Sequence, residues 1–159
     1  MSTIFQIYLH DSLGFEVGLI GIISGIRTAG FAFITIISGY LSDRIGRKPV
    51  VILGFLIEAL CFFSYTLMDS LFFIIPIGAL DGLGAGMVSV TLTVLLSEIV
   101  KPEYRGVSIG LYRTFMDIGG FIGPILFMLV FSRFSPVTTF YFGMLFMFIN
   151  VILLSMVKE

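Results

Sequence analysis

Five charged residues stand inside long apolar stretches of the chain: Arg27, Glu58, Asp81, Arg113 and Asp117. Carboxylates and guanidinium groups in such surroundings can neutralise one another, hold a charged solute, or load and release a proton. The last follows because burial and a neighbouring arginine move a carboxylate's proton affinity in opposite directions. Arg113 and Asp117 are four apart, the spacing of neighbours on one helix face, so a static salt bridge and a substrate or proton site are equally open for them. Asp81 has no obvious partner, reads as functional, and could join that pair. Arg27 has Glu58, or protein outside this chain, as its candidate partner. A second group, Asp43, Arg44, Arg47 and Lys48, is clustered between two apolar runs, with Glu98 and Arg105 further along. Covalent chemistry finds no footing. One histidine, His10, and one cysteine, Cys61, cannot build a zinc site from soft ligands. Gly82, Gly84 and Gly86 lack the strand that a dinucleotide fingerprint follows. No nucleophile–base pair suggests an enzyme, and no cofactor or metal is expected. His10 reads as a solvated loop residue and Cys61 as a small apolar filler.

The elements that position these residues follow from composition. Apolar residues make up 58% of the 159 and charged residues 12%, with a mean hydropathy of +1.13. Soluble domains carry about twice that charge, so a water-soluble globule and a disordered chain are both excluded. A formal net charge of −1 gives no reason to expect a nucleic-acid partner. A membrane-spanning helix needs about 20 mostly apolar residues, and five such stretches occur, at about 17–40, 50–68, 71–100, 106–131 and 137–157. In hydrocarbon each must satisfy its own backbone amides, so each is a helix. The fold class is therefore all-α, a polytopic membrane bundle over residues 17–159. At 1.5 Å per residue, Arg27, Glu58, Asp81 and Asp117 lie about 14–16 Å from a helix end, near mid-bilayer. There each costs at least about 2.5 kcal/mol unless paired or wet.

Residues 1–16 read as the end of a truncated helix (Ile4–Leu9) and a loop outside the membrane (His10–Phe15). Basic residues set the orientation. Arg44, Arg47, Lys48, Lys101, Arg105 and Lys158 fall on one side of a five-span chain and Arg133 on the other, which places the loops of the first group and the C-terminus in the cytoplasm. Glycine is concentrated in the first, third and fourth spans, and Gly78, Gly82 and Gly86 recur every four residues. Small residues at that spacing let helices approach closely in membranes. These three spans are expected inside the bundle, and the second and fifth against lipid, although Glu58 sits awkwardly on the second. Tyr40, Tyr65, Tyr104 and Tyr141 are expected as interfacial anchors.

The loop Gly39-Tyr-Leu41-Ser-Asp43-Arg44-Ile-Gly46-Arg47-Lys48 resembles the G-x-L-x-D-R-x-G-R-K signature of the major facilitator superfamily of transporters. Pro102-Glu103-Tyr104-Arg105-Gly106 is similar to a later loop of that family, and Gly119-x-x-x-Gly123-Pro124 partly matches the glycine–proline motif of drug antiporters, with Phe127 where glycine is usual. Gly78 and Asp81 stand where drug exporters carry arginine and glutamine, which favours a C-terminal half, as does the ending at Lys158-Glu159. The resemblance implies helices two to six, or eight to twelve, of a twelve-helix carrier. It implies solute transport by alternating access, with a proton as a candidate coupling ion, in the cell membrane. It places Asp43 at the N-terminus of the fourth span, where the helix dipole favours an anion. Asp43–Arg105 and Arg47–Glu98 are the pairings of a cytoplasmic latch that also includes Gly39, Arg44, Gly46 and Lys48. The expected partners are the lipid bilayer, a small solute, and the rest of the transporter or another copy. An inactive fragment and a small membrane interaction subunit are the alternatives.

Overall fold

The computed structural model describes residues 2–67 and 70–156, with side chains from Phe5 onward. The expected span ends at Met68 and Val157, and Lys158, lie outside the described residues. Helix α1 (Ser2–Ile7) runs into a π-helical turn (Tyr8–Ser12), and five long helices follow: α2 (Val17–Ile45), α3 (Arg47–Tyr65), α4 (Leu71–Ile99), α5 (Arg105–Arg133) and α6 (Pro136–Met156). All five are long and apolar enough to cross a membrane.

Two boundaries differ from those expected. The loop over residues 41–49 shrinks to one residue, Gly46, which has φ +96°. Leu41 to Ile45 continue α2, because a helix leaving the bilayer loses nothing when polar side chains meet water. The turn is made where a residue without a Cβ can adopt a left-handed conformation. The expected loop His10–Phe15 begins as the π-helical turn, held by Leu13 and Gly14 amides donating to the Tyr8 and His10 carbonyls.

Helix α4 is the hub, lying between α2 and α3. Its four-residue glycine stripe faces α2. A Cβ on Gly82 would collide with the Arg27 carbonyl, and one on Gly86 would come within 2.9 Å of the Phe31 carbonyl. From the other side, a Cβ on Gly30 would stand 2.7 Å from the Ala79 carbonyl. The α3 seam is reciprocal: a Cβ on Gly54 would lie 2.9 Å from the Gly84 carbonyl, and one on Gly84 3.0 Å from the Gly54 carbonyl. Backbones in direct contact gain dispersion along their whole length, which is the main attraction available between helices in lipid. At the end away from Gly46, Phe5, Tyr8 and Leu9 close the bundle against Cys61, Phe62, Tyr65, Ile74 and Phe140. The Tyr8 ring meets Phe140 edge-on at 4.8 Å.

This packing corrects the expected division of the helices. The second span, α3, is not a lipid-facing helix; it buries seven residues between α4 and α6. The fourth span, α5, has no buried residue, and an added Cβ at Gly106, Gly110, Gly119, Gly120 or Gly123 would meet nothing within 4 Å. Glycine permits close approach but does not supply the neighbour. Tyr65 is also no interfacial anchor: it is 2% exposed in the core, whereas Tyr40, Tyr104 and Tyr141 are exposed.

The two kinds of glycine predict opposite outcomes. Gly82→Ala forces α2 and α4 apart and should cost about 1–3 kcal/mol of stability. Gly110→Ala should leave the melting temperature of the detergent-solubilised chain unchanged or raise it, since alanine is the better helix former. Equal melting shifts for the two variants would contradict a tight α2–α4 seam.

Candidate functional site

The seam decides what happens to the charges in mid-span. Gly82 lies against the Arg27 backbone, so Asp81, its neighbour in sequence, is delivered to the same level. The Arg27 Nε donates to Asp81 Oδ2, with the Asp81 side chain 8% exposed and that of Arg27 24%. Asp81 therefore does have a partner, and it is not Arg113 or Asp117. Nor does Arg27 take Glu58 as its ion-pair partner. Glu58 is half-buried on the α3 side of α4, where its Cγ would stand 3.0 Å from a Cβ added at Gly84, and it lies within electrostatic range of both Asp81 and Arg27. Two carboxylates thus surround one guanidinium in the middle of the helices. Tyr65, which sequence reasoning placed at an interface, adds a buried hydroxyl without a hydrogen-bond partner among the described residues.

Arg113 and Asp117 behave differently. Both are exposed, and among the described residues neither makes an ion pair with the other or with any further group. Helical side chains lean toward the N-terminus. With the arginine first, its arm extends away from Asp117, the less favourable order for an i, i+4 pair. Nothing within the described chain covers these charges.

The basic end of the bundle carries a second network. Ser42, Asp43 and Arg44 form the last turns of α2, and the positive-φ Gly46 turns the chain so that Arg47, first residue of α3, faces back toward α2 and across to α4. Arg47 Nη2 reaches Glu98 Oε1 at 3.0 Å and also pairs with Asp43, while Nη1 donates to Ser42 Oγ. Asp43, Arg47 and Glu98 line a cavity of about 610 Å³ with Leu95 and Ile99. The expected Asp43–Arg105 pairing does not form, because Arg47 is one turn away and takes the Asp43 carboxylate. Arg105 instead donates to the Val100 carbonyl at 3.4 Å. Arg44 stacks over the Tyr40 ring at 4.6 Å, and Lys48 donates to the Ser155 carbonyl in the last turn of α6 at 3.0 Å. Gly39 has open space at its α-carbon. His10 is exposed, with its ring Nδ1 3.2 Å from the Phe15 carbonyl. Cys61 is buried.

A family profile described as Major Facilitator Superfamily matches residues 1–159. An inner membrane transport protein of Escherichia coli K12, YnfM, is 37% identical over 101 residues, 64% of this chain and 24% of the relative. An uncharacterized transporter of Buchnera aphidicola from Baizongia pistaciae is 39% identical over 108 residues, covering 68% of this chain and 27% of its own length. The multidrug resistance protein MdtH of Aeromonas hydrophila is 28% identical over 116 residues, 73% of this chain and 29% of the relative. The chain spans between 24% and 29% of the length of these relatives.

The mid-span pair makes a sharp prediction. Removing one partner from a buried ion pair strands the other charge, at a cost of about 3–5 kcal/mol. Arg27→Gln and Asp81→Asn should each lower folded yield and melting temperature, and the double variant should recover much of the loss. A double variant whose destabilisation equals the sum of the singles would show that the residues do not act as a pair.

Proposed function

The chain belongs to the major facilitator superfamily, and from that membership we propose that it carries a small solute across a membrane by alternating access, as part of a complete transporter of the family. No covalent step is assigned to any residue. The basic end faces the cytoplasm of the cell membrane, with the C-terminus on the same side.

The network at that end carries the reading. Alternating access needs contacts that hold one state and release in the other. Asp43 and Glu98 are 62% and 51% exposed, and Arg47 bridges them. Exposed ion pairs contribute about 0–1 kcal/mol each, so the pair can bias two states without locking either. The mid-span Arg27–Asp81 pair is far more costly to separate, so it acts as a strut of the moving body. Gly39, Arg44, Gly46, Lys48 and Arg105 complete the latch region: Gly46 sets the turn, Arg44 anchors it through Tyr40, and Lys48 ties it to α6. Arg113, Asp117 and Glu58 are then the mid-span groups left to meet solute or a coupling proton, with Asp81 and Arg27 beside Glu58.

Covering α5 supports the complete carrier. Arg113 and Asp117 cannot both face lipid without a cost of several kcal/mol, so this side of the bundle meets further protein and the solute pathway. Asp43→Asn should reduce solute uptake by the natural protein by up to about fivefold, the effect of about 1 kcal/mol, while membrane insertion and yield stay normal. Uptake at the unsubstituted rate would remove the latch.

A further inference from the structure

The structure divides its mid-span charges into a closed set and an open one. Arg27 and Asp81 satisfy each other. Arg113 and Asp117 share one face of α5, a helix with no buried residue, and both point out of the chain unpaired among the described residues. They lie about 12 and 18 Å from the start of α5 at Arg105, at the rise of 1.5 Å per residue. Two opposite charges are therefore held about 6 Å apart along the helix axis, deep within the span.

We propose that Arg113 and Asp117 form a recognition subsite for a small dipolar ion, a solute bearing one carboxylate and one ammonium or quaternary amine. The inference rests on the transport reading above and names the solute class for it. Charge counting carries it. A neutral solute leaves the two side chains only each other to pair with, in the less favourable i, i+4 order. An anion satisfies Arg113 and leaves Asp117 with net negative charge in the membrane, and a cation does the reverse. Only a solute with both charges meets each residue with an opposite charge and keeps the site neutral, the arrangement that costs least in low dielectric. The guanidinium fork donates two parallel hydrogen bonds to a carboxylate. Asp117, shorter and one turn further on, takes the cationic group. The spacing suits a solute whose charges are separated by a few bonds, such as a short amino acid or betaine.

The purified natural protein tests this by scintillation-proximity binding of radiolabelled glycine betaine and γ-aminobutyrate, with butylamine and butyrate as the singly charged controls. The expected result is that at least one dipolar probe is held tenfold or more tighter than either control. Arg113→Gln should shift the preference at least tenfold toward butylamine, and Asp117→Asn at least tenfold toward butyrate. Both positions are exposed, so neither substitution removes packing seen in the chain. Binding of neither dipolar probe by the unsubstituted protein, or equal weakening of all probes by both variants, would overturn the assignment. The second outcome would mean that the two residues pair with other protein. A protein that takes up a neutral or singly charged solute with Arg113→Gln unaffected keeps the transport reading and loses this one; one whose vesicles accumulate no solute loses the transport reading.

Discussion

Bare backbone contact along α4 is the constraint from which the rest of the molecule follows. In lipid, no hydrophobic force drives apolar helices together, so close packing and polar contacts must do it. Gly82 and Gly86 let α2 approach one side of α4, and Gly84 lets α3 approach another through Gly54. A helix clamped on two faces has neither rotation nor register left to choose. Asp81 precedes Gly82, so its direction is fixed toward α2, and Arg27, whose carbonyl lies against Gly82, is fixed opposite it. The ion pair is a consequence of the seam, and its strength in turn holds the seam in register.

The two charged networks differ because their surroundings differ. Arg27–Asp81 is buried, and breaking it leaves an unsolvated charge. Arg47 binds Asp43 and Glu98 at the bundle's end, where water can take over either contact. A contact with a low cost of breaking suits a conformational switch, and one with a high cost suits a rigid body. That argument, from exposure and magnitude alone, separates the two networks that the sequence presents as similar clusters of arginine and carboxylate.

Helical spans, their number and the close-packing glycine stripe of α4 were legible in the sequence because each depends on local periodicity or on hydropathy; that the stripe meets α2 was not. Arg47–Glu98 was legible because both residues stand at the basic end of the bundle, but the same reasoning gave Asp43 to Arg105 and missed Arg47 one turn away. Other features depended on neighbours that no local pattern encodes. The glycines of α5 look like those of α4, yet only the latter meet another backbone. Asp81 seemed unpartnered because Arg27 lies 54 residues away on a helix whose rotation is set by Gly82. Tyr65 has the amphipathic side chain of an interfacial anchor, but α1 and its π-helical turn cover it. The loop around Gly46 looked nine residues long because polar residues were taken to end a helix, whereas outside the bilayer they can extend it.

Helix α5 shows how a fold can be complete in its core and still have an unfinished surface. It enters through the short turn Pro102–Tyr104, its Tyr112 hydroxyl meets the Thr93 side chain on α4, and Phe127 packs edge-on against Phe142 of α6. These contacts hold one flank only. Another flank combines the open glycines Gly106, Gly110 and Gly120 with two charges that are unpaired among the described residues. A purely lipid-facing helix would need neither, because lipid gains nothing from glycine and repels charge. A purely structural interface would use the glycines but would be weakened by leaving opposite charges apart. The combination fits a face that is approached closely by protein along part of its length and by water or solute along the rest. The start of the same helix, Arg105, follows Glu98 of the Arg47 network by seven residues, through the short turn Pro102–Tyr104.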